Sequence, residues 1–318
     1  MEEILKVSLF TQPPRPKKFN DIDNKNRENA IEQLFSKVAR NSNSLISASL
    51  DGKIWQKIKE NLHEVLAAFI SEESGLNLAD ASLFLLKKGG RKFNFDFLGS
   101  FEKNGKIVLG DLKIEFKGGK SIYDQPQFWS PYANKTNLLS DGVQAYYESF
   151  YENFISEAAG IAKVNAPNFQ VYEDHIFSTK YEAHPYFEKL YHLSTNNPDK
   201  KSELQEIADR SIDYYLSDFL VNTNYVNYIS LQQKLLEQKS KYFLSWDFAS
   251  FTFRVQRFSD EDVMIKGSVS HKRNRAGLIN ALVFSNQANH SISALLRWKN
   301  HPCVLSPAWQ ISLHQGSV

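Results

Sequence analysis

The dipeptide Asn104-Gly105 constrains this chain more than any other feature of its sequence. It stands between two alternating runs, Phe93–Phe101 and Ile107–Lys117. A two-residue type I′ turn needs positive φ at both central positions, which asparagine and glycine tolerate best, so the segment reads as a β-hairpin. That turn puts Phe97 opposite Leu112, Phe95 opposite Ile114 and Phe93 opposite Phe116. One face is then continuously apolar, and a slip of one residue would turn it to solvent.

The other face is charged. It carries Asp96 across from Lys113, with Asp111 and Glu115 on the two diagonals and Lys117 beyond. Diagonal neighbours across a hairpin lie roughly 7–8 Å apart, near enough for two carboxylates to converge on one divalent cation. Magnesium takes oxygen ligands and keeps several waters. Bound beside a phosphate, it acidifies one of those waters, and a neighbouring lysine orients the resulting hydroxide. The plain alternative is a solvated strand face whose charges pair across the hairpin for roughly 0.2–1 kcal/mol each.

Asp96, the intervening residues 97–114 and the run Ile114-Glu115-Phe116-Lys117 resemble the PD-(D/E)XK nuclease superfamily, the fold of most type II restriction endonucleases. The resemblance covers about residues 55 to 155. It implies an α/β fold, with a mixed central sheet flanked by helices. Asp96 and Glu115 would be the metal ligands for one or two Mg2+ ions, and Lys117 the catalytic cation. Residue 95 is Phe where the pattern has proline. Asp111-Leu112-Lys113 is a second acidic-x-Lys triplet on the same face, so Asp111 and Lys113 offer an alternative site. Family members often add an acid from the preceding helix, a part that falls here to Glu64 or Glu60.

Composition is compatible with this reading without demanding it. Positive and negative charges nearly balance, at a net +2, so contacts to nucleic acid must be local patches. Basic and amide side chains at Lys120, Gln127, Lys272, Arg273, Arg275, Arg297, Lys299 and Asn300 are the expected DNA-binding residues. A solitary cysteine, Cys303, excludes internal disulfides. The opening residues lack a secretory pattern, and no apolar run reaches the ~18 residues of a membrane span; the cytoplasm is the expected location. There is no GxxxxGK[ST] loop for a nucleotide cofactor and no G-x-S-x-G elbow.

The order along the chain predicts an N-terminal arm over 1–30, a nuclease core over 31–165, a helical region over 166–240 and a β-rich C-terminal region over 241–318. Helical spacing marks Ile31, Leu34, Phe35 and Val38, then Ile58, Leu62, Val65, Leu66 and Phe69. The function expected is cleavage of double-stranded DNA by a Mg2+-dependent endonuclease, in the manner of a homodimeric type II restriction enzyme. The rivals are a structure-specific repair or recombination nuclease of the same fold and a non-catalytic DNA-binding protein.

Overall fold

A computed structural model describes residues 28–29, 31–36, 52–88, 93–118, 122–123, 125–131, 138–177, 184–247, 252–298, 301–304 and 307–316. The expected helical position Val38 lies outside them. The fold is mixed α/β and contains two mostly antiparallel sheets. It divides into two compact units, one within Met1–Ile122 and Lys239–Phe258, the other within Tyr123–Gln238 and Ser259–Val318.

In the first unit a short helical stretch at 28–29 and 31–35 precedes helix α1 (Gly52–Ser74). Ile58, Leu62, Leu66 and Ile70 recur every four residues and form one buried stripe. Gly75, at φ 70°, takes the left-handed conformation that ends the helix. Strands β1 (Ser82–Lys87), β2 (Phe97–Lys103) and β3 (Lys106–Gly118) follow as an antiparallel meander. The sheet is completed by β5 (Lys241–Asp247) and β6 (Thr252–Gln256), in the order β1-β2-β3-β5-β6. Residues 241–247 and 252–256, read from sequence as the start of a β-rich C-terminal region, belong to the sheet that carries the hairpin. Strand β5 runs parallel to β3. Parallel neighbours need a long connection, and here it carries the chain through Tyr123–Gln238 of the second unit.

The hairpin turns where expected. Asn104 and Gly105 have φ of 53° and 72°, and Lys103 pairs with Lys106. Beyond the turn the expected register fails. Shifts between Glu102 and Phe101, and again between Phe101 and Gly99, each leave an extra residue in β3. The pairing advances by two, and Phe97 faces Ile114 instead of Leu112. At the second bulge Asp111 adopts φ 57°, a conformation that aspartate tolerates better than most residues. A shift of two preserves the inside–outside alternation, so Phe97, Phe101, Leu112, Ile114 and Phe116 are all buried. With Leu244, Trp246, Phe253, Val255 and the α1 stripe they make one core. Phe93 and Phe95 do not pair with Phe116 and Ile114. They precede β2, half-buried, with their ring centroids 5.7 Å apart.

The second unit contains β4 (Pro126–Pro131), helices α2 (Tyr146–Asn153), α3 (Ile155–Ala162), α4 (Phe169–Phe177), α5 (Pro185–Asn196), α6 (Pro198–Val221) and α7 (Tyr228–Lys239), and the short α8 (Asp260–Val263). Its strands β7 (Ile265–Arg273), β8 (Ile279–Asn286), β9 (Ser291–Trp298) and β10 (Pro307–His314) join β4 in an antiparallel sheet ordered β4-β10-β9-β8-β7. Asn197 caps α6 by accepting from the Lys200 N–H, with Pro198 at the first helical position. Trp298 and Trp309 are core residues: the Trp298 indole donates to the Tyr146 hydroxyl at 3.0 Å. Among the described residues, no helix is long and apolar enough to cross a membrane.

Candidate active site

Strand alternation sends Phe97, Ile114 and Phe116 toward α1 and leaves Glu115 and Lys117 on the opposite face of the first sheet. Asp96, one residue before β2, lies against the Ile114–Phe116 stretch of β3, near enough to Glu115 to feel its charge. Two backbone contacts fix it there. Its N–H donates to the Ile114 carbonyl at 3.0 Å, and its Oδ2 accepts from the Phe116 N–H at 2.8 Å. The double bulge advances β3 by two residues against β2, so Asp96 meets the backbone of Ile114 and Phe116 instead of lying across from Lys113.

Both carboxylates are partly withdrawn from water. Burial pushes the Asp96 carboxyl up to about 6, and the negative charges of Glu115 and Glu28 add to the rise. The Phe116 N–H and Lys117 oppose it. The Lys117 ammonium lies 2.8 Å from Glu115 Oε1, and both side chains are nearly covered, at 13% and 14% exposure. A second ammonium, from Lys241 at the start of β5, reaches Glu115 Oε2 at 3.2 Å. Lys241 is 1% exposed. Burial lowers its pKa, a tendency that Glu115 counters.

Asp111 and Lys113 are not brought to this point. Both are exposed, and the bulge turns the backbone at Asp111 before Glu115 is reached. Nor does α1 supply the additional acid. Its apolar stripe packs on the core side of the sheet, so Glu64 and Glu60 lie across the sheet from Glu115. Both are exposed, and Glu60 accepts from Gln56. The second negative charge felt by Asp96 is that of Glu28, which also pairs with Lys87 at 2.8 Å.

Among the described residues, no three His, Cys, Asp or Glu side chains are grouped as a metal site. The pair Asp96 and Glu115 is nonetheless a chemically suitable donor set for Mg2+, which commonly binds through one or two carboxylates and retains water. Both groups are oxygen donors.

The expected DNA contacts fall on the second unit or outside the described residues. Lys272 and Arg273 end β7, and Arg275 sits in the turn to β8; all three are exposed. Arg273 donates to the Gly277 carbonyl, and Asn274 Oδ1 accepts from the Ala276 and Leu278 N–H groups, so the turn has a defined shape. On α6, Asp209 and Asp213 accept from Asn274 Nδ2 and the Ile279 N–H, bracing the base of the hairpin. Arg297 is exposed on β9. Gln127 belongs to β4 by its backbone, while its side chain and the residues Lys120, Lys299 and Asn300 lie outside the described portion.

Sequence reasoning missed Lys241, Glu28 and Arg254. Arg254 is exposed on β6 and pairs with Ser245, on the same sheet face as Lys117. A period-two pattern over 241–247 puts Lys241, Phe243 and Ser245 on one side. Nothing local says that β3 is the neighbour. No protein-family model, curated protein or solved structure matches the chain.

Proposed function

We propose that this protein is a Mg2+-dependent endonuclease that hydrolyses phosphodiester bonds of double-stranded DNA, working in the cytoplasm as a site-specific restriction endonuclease. The supporting observation is the nearness of the Asp96 and Glu115 carboxylates, with Lys117 2.8 Å from Glu115. A mixed sheet with helix α1 on one face and this acidic pair on the other agrees with a restriction-endonuclease-like core.

In this reading Asp96 and Glu115 hold the metal. Magnesium, at one or two ions per site, lowers the pKa of a bound water and balances charge on the scissile phosphate. Lys117 orients that water, and one of its three N–H donors is already directed at Glu115. The basic turn at 272–275 neutralises DNA phosphates, and Arg254 is placed to do so on the site's own face. A palindromic target calls for two-fold protein symmetry, hence a homodimer.

The test is incubation of phage DNA with the protein and Mg2+, with a chelator in parallel. Discrete fragments that vanish with the chelator are expected. A smear would favour a nuclease that cuts without reading sequence. Intact DNA that is nevertheless bound would favour a non-catalytic DNA-binding protein.

A further inference from the structure

A buried lysine in a sheet is costly unless something requires its charge. Lys241 is almost wholly enclosed and is directed at a single carboxylate oxygen, Glu115 Oε2. The other oxygen of the same group is held by Lys117. Glu115 therefore lies between two ammonium groups that differ in circumstance. One belongs to the same strand, two residues away, at the rim of the pocket. The other is fixed from below by the neighbouring strand, where Lys113 and Lys241 are paired in the β3–β5 ladder.

We propose that Lys241 is a positioning residue for the metal site, an inference that rests on the nuclease reading above. With a divalent ion at Glu115, Lys117 would give up its place on Oε1 and would be free to orient the attacking water. Without a second support, Glu115 would be left to rotate about its side-chain torsions. Lys241, enclosed and bonded to Oε2, keeps the carboxylate turned toward Asp96 while Oε1 changes partner. The two lysines divide the work: Lys241 holds the ligand, and Lys117 serves the reaction.

The experiment is calorimetric titration of the full chain with Mn2+ alone, without DNA, alongside cleavage of plasmid across a range of Mn2+ concentrations. Lys241→Met removes charge and donor but fills the slot, and Lys241→Gln keeps a donor without charge. Thermal unfolding identifies which variants are folded. Lys241→Met is expected to weaken Mn2+ binding at least tenfold and to raise by a similar factor the Mn2+ needed for half-maximal cleavage. Lys241→Gln is expected to fall between it and the wild type. Should Lys241→Met not fold, Lys241→Gln decides alone, by a loss of Mn2+ affinity of severalfold or by none. A folded variant with wild-type Mn2+ affinity and an unchanged Mn2+ dependence overturns the role of Lys241 while leaving the nuclease intact. A wild-type chain that neither binds Mn2+ nor cuts overturns the nuclease reading, and the role of Lys241 with it.

Discussion

Asp96 in the first unit and Asp262 in the second are both carboxylates largely removed from water, and their surroundings differ in kind. Asp262 caps α8, accepting from the backbone N–H and the hydroxyl of Ser259. The Tyr123 hydroxyl donates to it at 3.0 Å, and the His290 ring lies 3.2 Å away. Its own backbone carbonyl is tied to Asn286. Asp96 has the Phe116 N–H and, instead of further donors, the carboxylate of Glu115. A satisfied buried acid is structural, because every donor around it would be stranded by its loss. Asp96 has fewer such donors, and its carboxyl is held above the usual carboxylate range chiefly by burial, with the Glu115 charge adding to it.

The contrast is tested most strongly by alanine replacement at both places. Asp96→Ala and Glu115→Ala are expected to lower Mg2+-dependent cleavage on the order of 10²–10³-fold or more, since each removes charge from the reacting centre. Asp96→Ala is expected to lower the thermal midpoint less than Asp262→Ala, because it strands one backbone donor, the Phe116 N–H, where Asp262→Ala strands several. Cleavage at wild-type rate by Asp96→Ala would end the distinction. Asp262→Ala should do the reverse, costing about 1–3 kcal/mol in denaturant unfolding through its stranded donors. A stable Asp262→Ala protein would show that the hub is dispensable.

Between these extremes lies the basic turn of the second unit. Replacing Arg273 and Arg275 with alanine is expected to weaken DNA binding uniformly across sequences. It should also reduce the slope of log affinity against log salt by about one for each phosphate that is no longer neutralised. An unchanged salt slope would remove this turn from the interface.

The smallest expected effect is in the metal-free protein's response to pH. The Asp96 pKa is raised from 3.8 to about 6 on folding, so between those values the folded chain binds more protons than the unfolded one. Stability from this group is present below pH 4 and is lost as pH rises through about 6. Asp96→Asn should flatten that part of the profile, and an unaltered profile would mean that Asp96 is less crowded than its neighbours imply.

The hairpin shows what a sequence can and cannot disclose. Asn104-Gly105 fixes the turn because positive φ is a property of those two residues. Inside and outside were legible for Phe97, Leu112, Ile114 and Phe116 because alternation is local. The register that sets Phe97 against Ile114 was not, since it depends on two bulges. The bulged region includes Gly99, where a Cβ would come within 3.1 Å of Ile114 Cδ1 and Leu85 Cδ2, and Asp111 in its left-handed conformation. Those constraints come from β1 and the core, and a two-strand reading does not contain them. Lys241 was hidden for a related reason. Its neighbour Glu115 is 126 positions away, and the period-two pattern of β5 fits any sheet equally well.

The separation of β3 from β5 has a consequence for how the molecule is made. During synthesis the strand with Glu115 and Lys117 leaves the ribosome long before the strand with Lys241. Until β5 arrives, one border of β3 is an open row of unpaired amides and carbonyls, and Glu115 has only one of its two ammonium partners. Maturation of the pocket thus waits on nearly the whole polypeptide, as expected when distant segments must meet before either is rewarded. An abortive product ending before β5 would carry the acidic pair in an unfinished sheet.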